Sequence, residues 1–251
     1  FAVEEGDNGT NLTAMHSRLG LKWNGPMLDN GWNASGVFEF DLFDSGSNNQ
    51  MKFRDRLAAF TIAKDRHSVL IGQHWDIFSP LGPTTLMTNG YLWQTGNMGF
   101  RRAKARYTYK GDSFELAGSI NDPSMSGESS ETDSPLFEGR VGFGLAGLKL
   151  GVSGTYGQDD KSLPDGDSDI WGISGDVVWP ISSAYSVKGE IAAGENLANF
   201  LSRSKVNSVT GDEQETLAYI ETQDFAALQS LTADDRIIVT FSAPGYSDIK
   251  L

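Results

Sequence analysis

The chain reads in steps of two. Met15, Leu19, Leu21 and Trp23 share one parity and His16, Arg18 and Lys22 the other. Between Trp32 and Phe43, Trp32, Ala34, Phe38, Phe40 and Leu42 oppose Asn33, Ser35, Glu39 and Asp41. From Met51 to Leu57 the basic residues Lys52, Arg54 and Arg56 alternate with Met51, Phe53 and Leu57, and Asp55 interrupts the apolar side. Phe60 and Ile62 then fall on the basic parity, which predicts a bulge in this strand. Ser68–Trp75 is a mostly apolar run. In Phe100–Tyr109, Arg102, Lys104 and Arg106 oppose Ala103, Ala105, Tyr107 and Tyr109. The same alternation returns around residues 114–120, 137–145, 148–156, 171–179, 185–191 and 237–241, with a vaguer segment over 216–229. A period of two places successive side chains on opposite faces of a strand, so the pattern predicts about twelve strands and almost no helix.

The connections alternate as well. Short turns (NGPMLDN, AKDRH, KGD, AG, PISS, TAD) take turns with long polar segments, namely SGSNN, residues 76–98, NDPSMSGESSETDSP, GQDDKSLPDGDSD and residues 195–215. An up-and-down membrane barrel has short turns at one end and long loops at the other. A soluble sandwich with crossover connections has no reason to keep that alternation. Aromatic residues near strand ends (Trp23, Trp32, Tyr107, Tyr109, Tyr156, Trp171, Trp179, Tyr185) fit interfacial girdles. The expected fold is all-β, a transmembrane antiparallel up-and-down β-barrel, as one domain over residues 1–251. The bland alternative is a soluble sandwich, with the apolar parity in its core.

Composition narrows this further. Cysteine is absent, which excludes disulfide scaffolds and thiolate metal sites. No run approaches the roughly 18–20 apolar residues of a spanning helix. The net charge of −13 and a pI near 4.6 argue against nucleic acid as a partner. A mean hydropathy of −0.32 is compatible with a barrel, because only alternate strand residues face lipid. No basic-then-apolar leader precedes the first strand, so a signal peptide is expected to have been removed or to lie outside this sequence.

Sorting charges by face changes the picture most. Opposite the apolar parity lie Arg18, Lys22, Lys52, Arg54, Arg56, Arg102, Lys104, Arg106, Arg140, Lys149, Lys188 and Arg236, against Glu39, Asp41, Glu115, Glu138, Asp176 and Glu190. The inner wall of an acidic protein is therefore basic, and the acid sits in the long segments. Fixed arginines in a low-dielectric wall concentrate anions, and their planar forks suit carboxylate or phosphate. The competing reading is that these cations pair with carboxylates across neighbouring strands. Arg101 falls on the lipid parity and is expected near the rim or snorkelling from the bilayer.

Other chemistry is thin. The histidines (His16, His67, His74) form no metal or hydrolase motif, and neighbouring His16 and Ser17 point to opposite faces, so no nucleophile–base pair supports an enzyme. Asp165, Asp167 and Asp169 have the spacing that starts a calcium loop. Ile170 stands where glycine is needed and no bidentate glutamate follows, so a solvated acidic loop is the simpler reading. No cofactor is expected. A non-transport surface protein, binding a partner or lipopolysaccharide cations through its acidic loops, is the second functional reading.

The stretch VLIGQHWDIFSPLGPTTLMTNGYLWQTGNMGFRRAKARYTY, with Gly72-Gln73-His74-Trp75 ending one strand and Arg101-Arg102 opening the next, resembles the DcaP-like outer-membrane porins of Gram-negative bacteria. SRLGLKWNGP, FEFDLF, FRDRLAAF, KGEIAAGENLANF and LTADDRIIVTF are similar to further hairpins of that family. The resemblance implies homotrimers of sixteen-stranded barrels in the outer membrane, in contact with lipid and lipopolysaccharide. It also implies passage of small anionic solutes, notably dicarboxylates, through an arginine-lined constriction. On these positions it favours Arg54, Arg56, Arg102 and Arg106 as lumen residues, with part of residues 76–98 folding inward. Against that family the first strand and the last few are expected to be missing, and the chain ends at Leu251 without a terminal aromatic residue.

Overall fold

The computed structural model of the chain describes residues 17–42, 52–81, 100–123, 134–159, 168–182, 185–195, 197, 214–224, 240–241 and 249–250, with side-chain surroundings up to Leu197. Eleven strands form one sheet in strict chain order: β1 (Arg18–Met27), β2 (Asn33–Asp41), β3 (Arg54–Lys64), β4 (His67–Trp75), β5 (Arg101–Lys110), β6 (Phe114–Asn121), β7 (Leu136–Leu145), β8 (Leu148–Asp159), β9 (Ser168–Pro180), β10 (Tyr185–Glu195) and β11 (Gln214–Asp224). Every neighbouring pair is antiparallel. Two short strands, β12 (Thr240–Phe241) and β13 (Ile249–Lys250), pair separately. The alternation anticipates this meander closely, but β12 is far shorter than the run at 237–241, whose remainder lies outside the described residues. Asn24–Met27, read as turn, instead extends β1 with an irregular register.

Local sequence explains the tight ends. Ala146 and Gly147 both have positive φ (50° and 88°) between the paired Leu145 and Leu148, the backbone that suits the twist of a two-residue hairpin. Asp65 (φ 53°) serves the same purpose between Lys64 and His67. The bulge anticipated in the third strand is real. Glu39 pairs with Leu57 but Phe40 with Asp55, so Arg56 is the extra residue and the parity changes there.

Two sets of rows interleave across the sheet. One runs Phe60, Ile71, Ala105, Ile120, Phe137, Tyr156, Trp171, each the register partner of the next. Its large members are exposed, from Trp171 at 42% to Ile71 at 60%. The other runs Leu70, Arg106, Ser119, Glu138, Thr155, Gly172, Gly194. Polar residues on the second face are buried, among them Lys104, Ser119, Glu138, Ser153, Ser174 and Asp176. A soluble fold buries the apolar face, and this one inverts the rule, as a barrel in lipid must. Among the described residues no helix is long and apolar enough to cross a membrane, and the strands do the crossing.

This inversion gives a sharp test. Val152 on β8 is 54% exposed. Val152→Arg is expected to cost about 2–4 kcal/mol in equilibrium unfolding from lipid vesicles if the site lies near the bilayer midplane. The same change on a water-facing strand would stay within about 0.5 kcal/mol.

Candidate functional site: the charged inner wall

The residues on the buried parity meet a segment that the sheet does not contain. After Trp75 the chain turns inward, and Asp76, Ile77, Phe78 and Ser79 are all 5% exposed or less. The neck of this connection is closed by two hydrogen bonds: Asp76 N donates to Phe100 O at 2.7 Å and Phe100 N to Asp76 Oδ2 at 3.1 Å. Beyond it the main chain is hung on wall acceptors. Ile77 N donates to Glu138 Oε2 (3.1 Å), Ser79 N to Ser153 Oγ (3.2 Å) and Leu81 N to Glu190 Oε2 (3.1 Å), and Ser79 Oγ bonds Glu190 Oε1. A buried backbone donor needs such partners, and here the wall supplies them. Phe78 fills an apolar nest with Leu136, Ile170, Ala192 and Leu197. Gly172 makes room for it, since a Cβ at that position would overlap the Phe78 ring.

The wall charges are arranged in pairs. Arg54 grips Asp41 through Nε (2.9 Å) and Nη2 (2.6 Å), and Arg56 bonds Glu39 (2.7 Å) and Asp41 (3.1 Å). Arg18 approaches Glu39 at 3.5 Å from an exposed position on β1. Arg102 Nε and Lys104 Nζ converge on the two oxygens of Asp76 at 3.0 and 2.6 Å, and Lys104 also lies 3.6 Å from Glu138. Arg140 reaches from β7 across β8 to hold Asp176 on β9 with both terminal nitrogens. Gly151 permits that reach, because a Cβ there would collide with the guanidinium and the carboxylate. Such forked, desolvated contacts are the strong kind. Arg106 differs: it faces the same interior from the middle of β5, and among the described residues it makes no ion pair.

Arg18, Arg54 and Arg56 thus gather on Glu39 and Asp41, and Arg102 and Lys104 gather on Asp76, so pairing within the wall describes most of them. Lys22 is exposed on edge strand β1. Asp165 and Asp167 lie outside the described residues. Asp169 accepts hydrogen bonds from Gln158 (3.1 Å) and Tyr156 (3.4 Å), and no group of three or more metal-type ligands occurs among the described residues. Arg101 lies at the strand end, as a rim position requires, but it is buried rather than snorkelling: it is 3% exposed, with its guanidinium 5.3 Å from the Trp75 ring and 5.1 Å from the Phe100 ring. Asp76 and Ser79 could not be singled out from strand parity, because they lie past the end of a strand. A signal for the inner nest was present: Leu136, Ile170 and Ala192 are apolar residues on a polar parity.

The fold and this wall define a transmembrane channel-type barrel sheet. The sequence pattern of the Gram-negative porin family matches residues 2–224, and the chain belongs to that family. Its structure is similar to the outer membrane channel DcaP of Acinetobacter baumannii, with a TM-score of 0.68 and 22% identity over 84% of this chain and 61% of that one. The chain therefore spans under two thirds of that protein's length. More distant are a loop L8 deletion mutant of OmpT of Vibrio cholerae (TM-score 0.47, 15% identity, 84% and 81% covered) and OmpF of Salmonella typhi in complex with daunomycin (TM-score 0.42, 10% identity, 82% and 89% covered). Among curated protein sequences none matches. Membership of this family places the protein in the bacterial outer membrane.

Asp76 is the residue on which the inner arrangement turns. Asp76→Ala leaves Arg102 and Lys104 without their shared carboxylate and is expected to cost about 3–5 kcal/mol in chemical unfolding. Asp76→Asn, which still accepts from Phe100 N, is expected to cost less.

Proposed function

We propose that the protein is a passive diffusion channel of the outer membrane that prefers small anions, dicarboxylates among them. Porin family membership supports the channel, and a transport channel rather than an enzyme. The preference is assigned to Arg106. The arginines and the lysine on either side of it are each bonded to a carboxylate, whereas Arg106, midway along β5, makes no ion pair among the described residues and feels Glu115 and Glu138 only at longer range. A fixed charge in a low-dielectric wall acts on passing ions over about one screening length, roughly 8–10 Å at moderate salt. Homotrimeric assembly and contact with lipopolysaccharide belong to the same proposal and rest on the family likeness.

Reversal potentials of the full-length protein in a potassium chloride gradient test this. The sign is expected to report chloride preference, and Arg106→Gln to lower the chloride-over-potassium permeability ratio about twofold, more at low ionic strength. A potassium preference in the wild type would overturn the reading.

A further inference from the structure

The short-turn end of β3 to β6 carries side chains that the channel reading leaves unused. Two reversals stand side by side there, one between Lys64 and His67 and one between Lys110 and Phe114. Lys110 N donates to Arg66 O at 2.8 Å and Gly111 N to Phe114 O at 2.7 Å, so the two turns are fixed to each other. Across them Arg66 Nη2 meets Asp112 Oδ1 at 2.6 Å. The contact is single-pronged, and the two side chains are 48% and 86% exposed. Much of the guanidinium fork and the second carboxylate oxygen are therefore open to a further partner. An exposed ion pair of this kind adds little to stability by itself.

Beside this pair lies an aromatic shelf on the lipid-facing parity. His67 and Tyr109 are register partners, as are Val69 and Tyr107, in the set of rows that continues through Ile71 and Ala105. His67 Nδ1 is 2.6 Å from the Tyr107 hydroxyl, its ring meets Tyr109 edge-on at 5.1 Å, and Tyr109 tilts against Phe114 at 5.8 Å. Tyr107 is 46% exposed and Phe114 39%. Tyr109 also acts on the Arg66 guanidinium, which sets the charge pair over the shelf rather than over the lumen. In an outer-membrane barrel the short-turn end meets the periplasmic leaflet, where amphipathic rings sit at headgroup depth. The flanking charges are balanced, Lys64 and Lys110 against Asp65 and Glu115. Net charge therefore does not draw an anion to this spot. The complementary headgroup is one that carries both signs, with its glycerol and upper acyl chain against the rings.

We propose that Arg66 and Asp112, standing over His67, Tyr107, Tyr109 and Phe114, form a binding site for a zwitterionic phospholipid of the periplasmic leaflet, phosphate on Arg66 and ammonium on Asp112. The site lies outside the lumen and does not depend on which solute the channel passes.

The test uses full-length protein in detergent, stripped of lipid and titrated calorimetrically with short-chain phosphatidylethanolamine and, separately, short-chain phosphatidylglycerol. Wild type is expected to bind the ethanolamine lipid saturably and about tenfold more tightly than the glycerol lipid. Arg66→Gln is expected to weaken both lipids about tenfold, since each presents a phosphate. Asp112→Asn is expected to weaken the ethanolamine lipid by a similar factor and to leave the glycerol lipid bound as well as before or better. Loss of a merely structural contact would not separate the two headgroups in this way. Wild type that binds neither saturably, or binds both equally, overturns the proposal, as do folded variants that bind both as wild type does. A changed subunit number in the variants with lipid binding unaltered assigns the cluster to a contact between copies and likewise overturns it. Should Arg66→Gln fail to fold, wild type and Asp112→Asn decide the matter.

Discussion

Backbone hydrogen bonding in lipid is the constraint on which the rest of this chain depends. A peptide group facing hydrocarbon has no water to fall back on, so each strand must be paired along the length that crosses. Antiparallel pairing of each strand with its sequence neighbours meets that demand between β1 and β11, and Gln73 serves carbonyls where the β3–β4 ladder ends. Once the ladder is fixed, side chains have only two destinations. The apolar parity faces lipid and the polar parity faces inward, and every later feature follows from that division.

The inward face then has to manage its own charge. Carboxylates do two jobs at once. Asp76 neutralises Arg102 and Lys104 while closing the neck of the inward connection, and Glu138 and Glu190 receive main-chain donors of the same segment. Electrostatics and loop placement are thereby coupled. Glycine at 151 and 172 is part of this arrangement, because each clears the space another side chain occupies. What is left over is specific: among the described residues Arg106 makes no ion pair.

The fold was legible in the sequence because a period of two survives wherever one face meets lipid. Even the bulge at Arg56 could be read, since the apolar Phe60 and Ile62 fall on the parity of Arg54 rather than that of Phe53. The basic inner face was legible for the same reason. What could not be read was the pairing. Nothing in strand parity shows that Asp76, beyond the end of β4, returns to meet Arg102 and Lys104 one strand away, or that Arg140 spans Gly151 to reach Asp176. Arg101 was legible in position but not in surroundings. It lies at the last β4–β5 pair, as a charge on the lipid parity must, but its side chain is buried against Trp75 and Phe100.

The central claim is that one parity of β5 lines an anion-favouring water path and the other faces lipid. The chain contains no cysteine, so each introduced thiol is unique. Single cysteines at Ala105 and Arg106 in membrane-embedded protein, treated with water-soluble anionic and cationic thiol reagents, test it most directly. Reaction is expected at 106 and not at 105. With Lys188→Cys as a second inward position that leaves Arg106 in place, the anionic reagent should react faster than the cationic one. Equal or reversed reactivity at 105 and 106, or a faster cationic reagent at 188, would contradict the account.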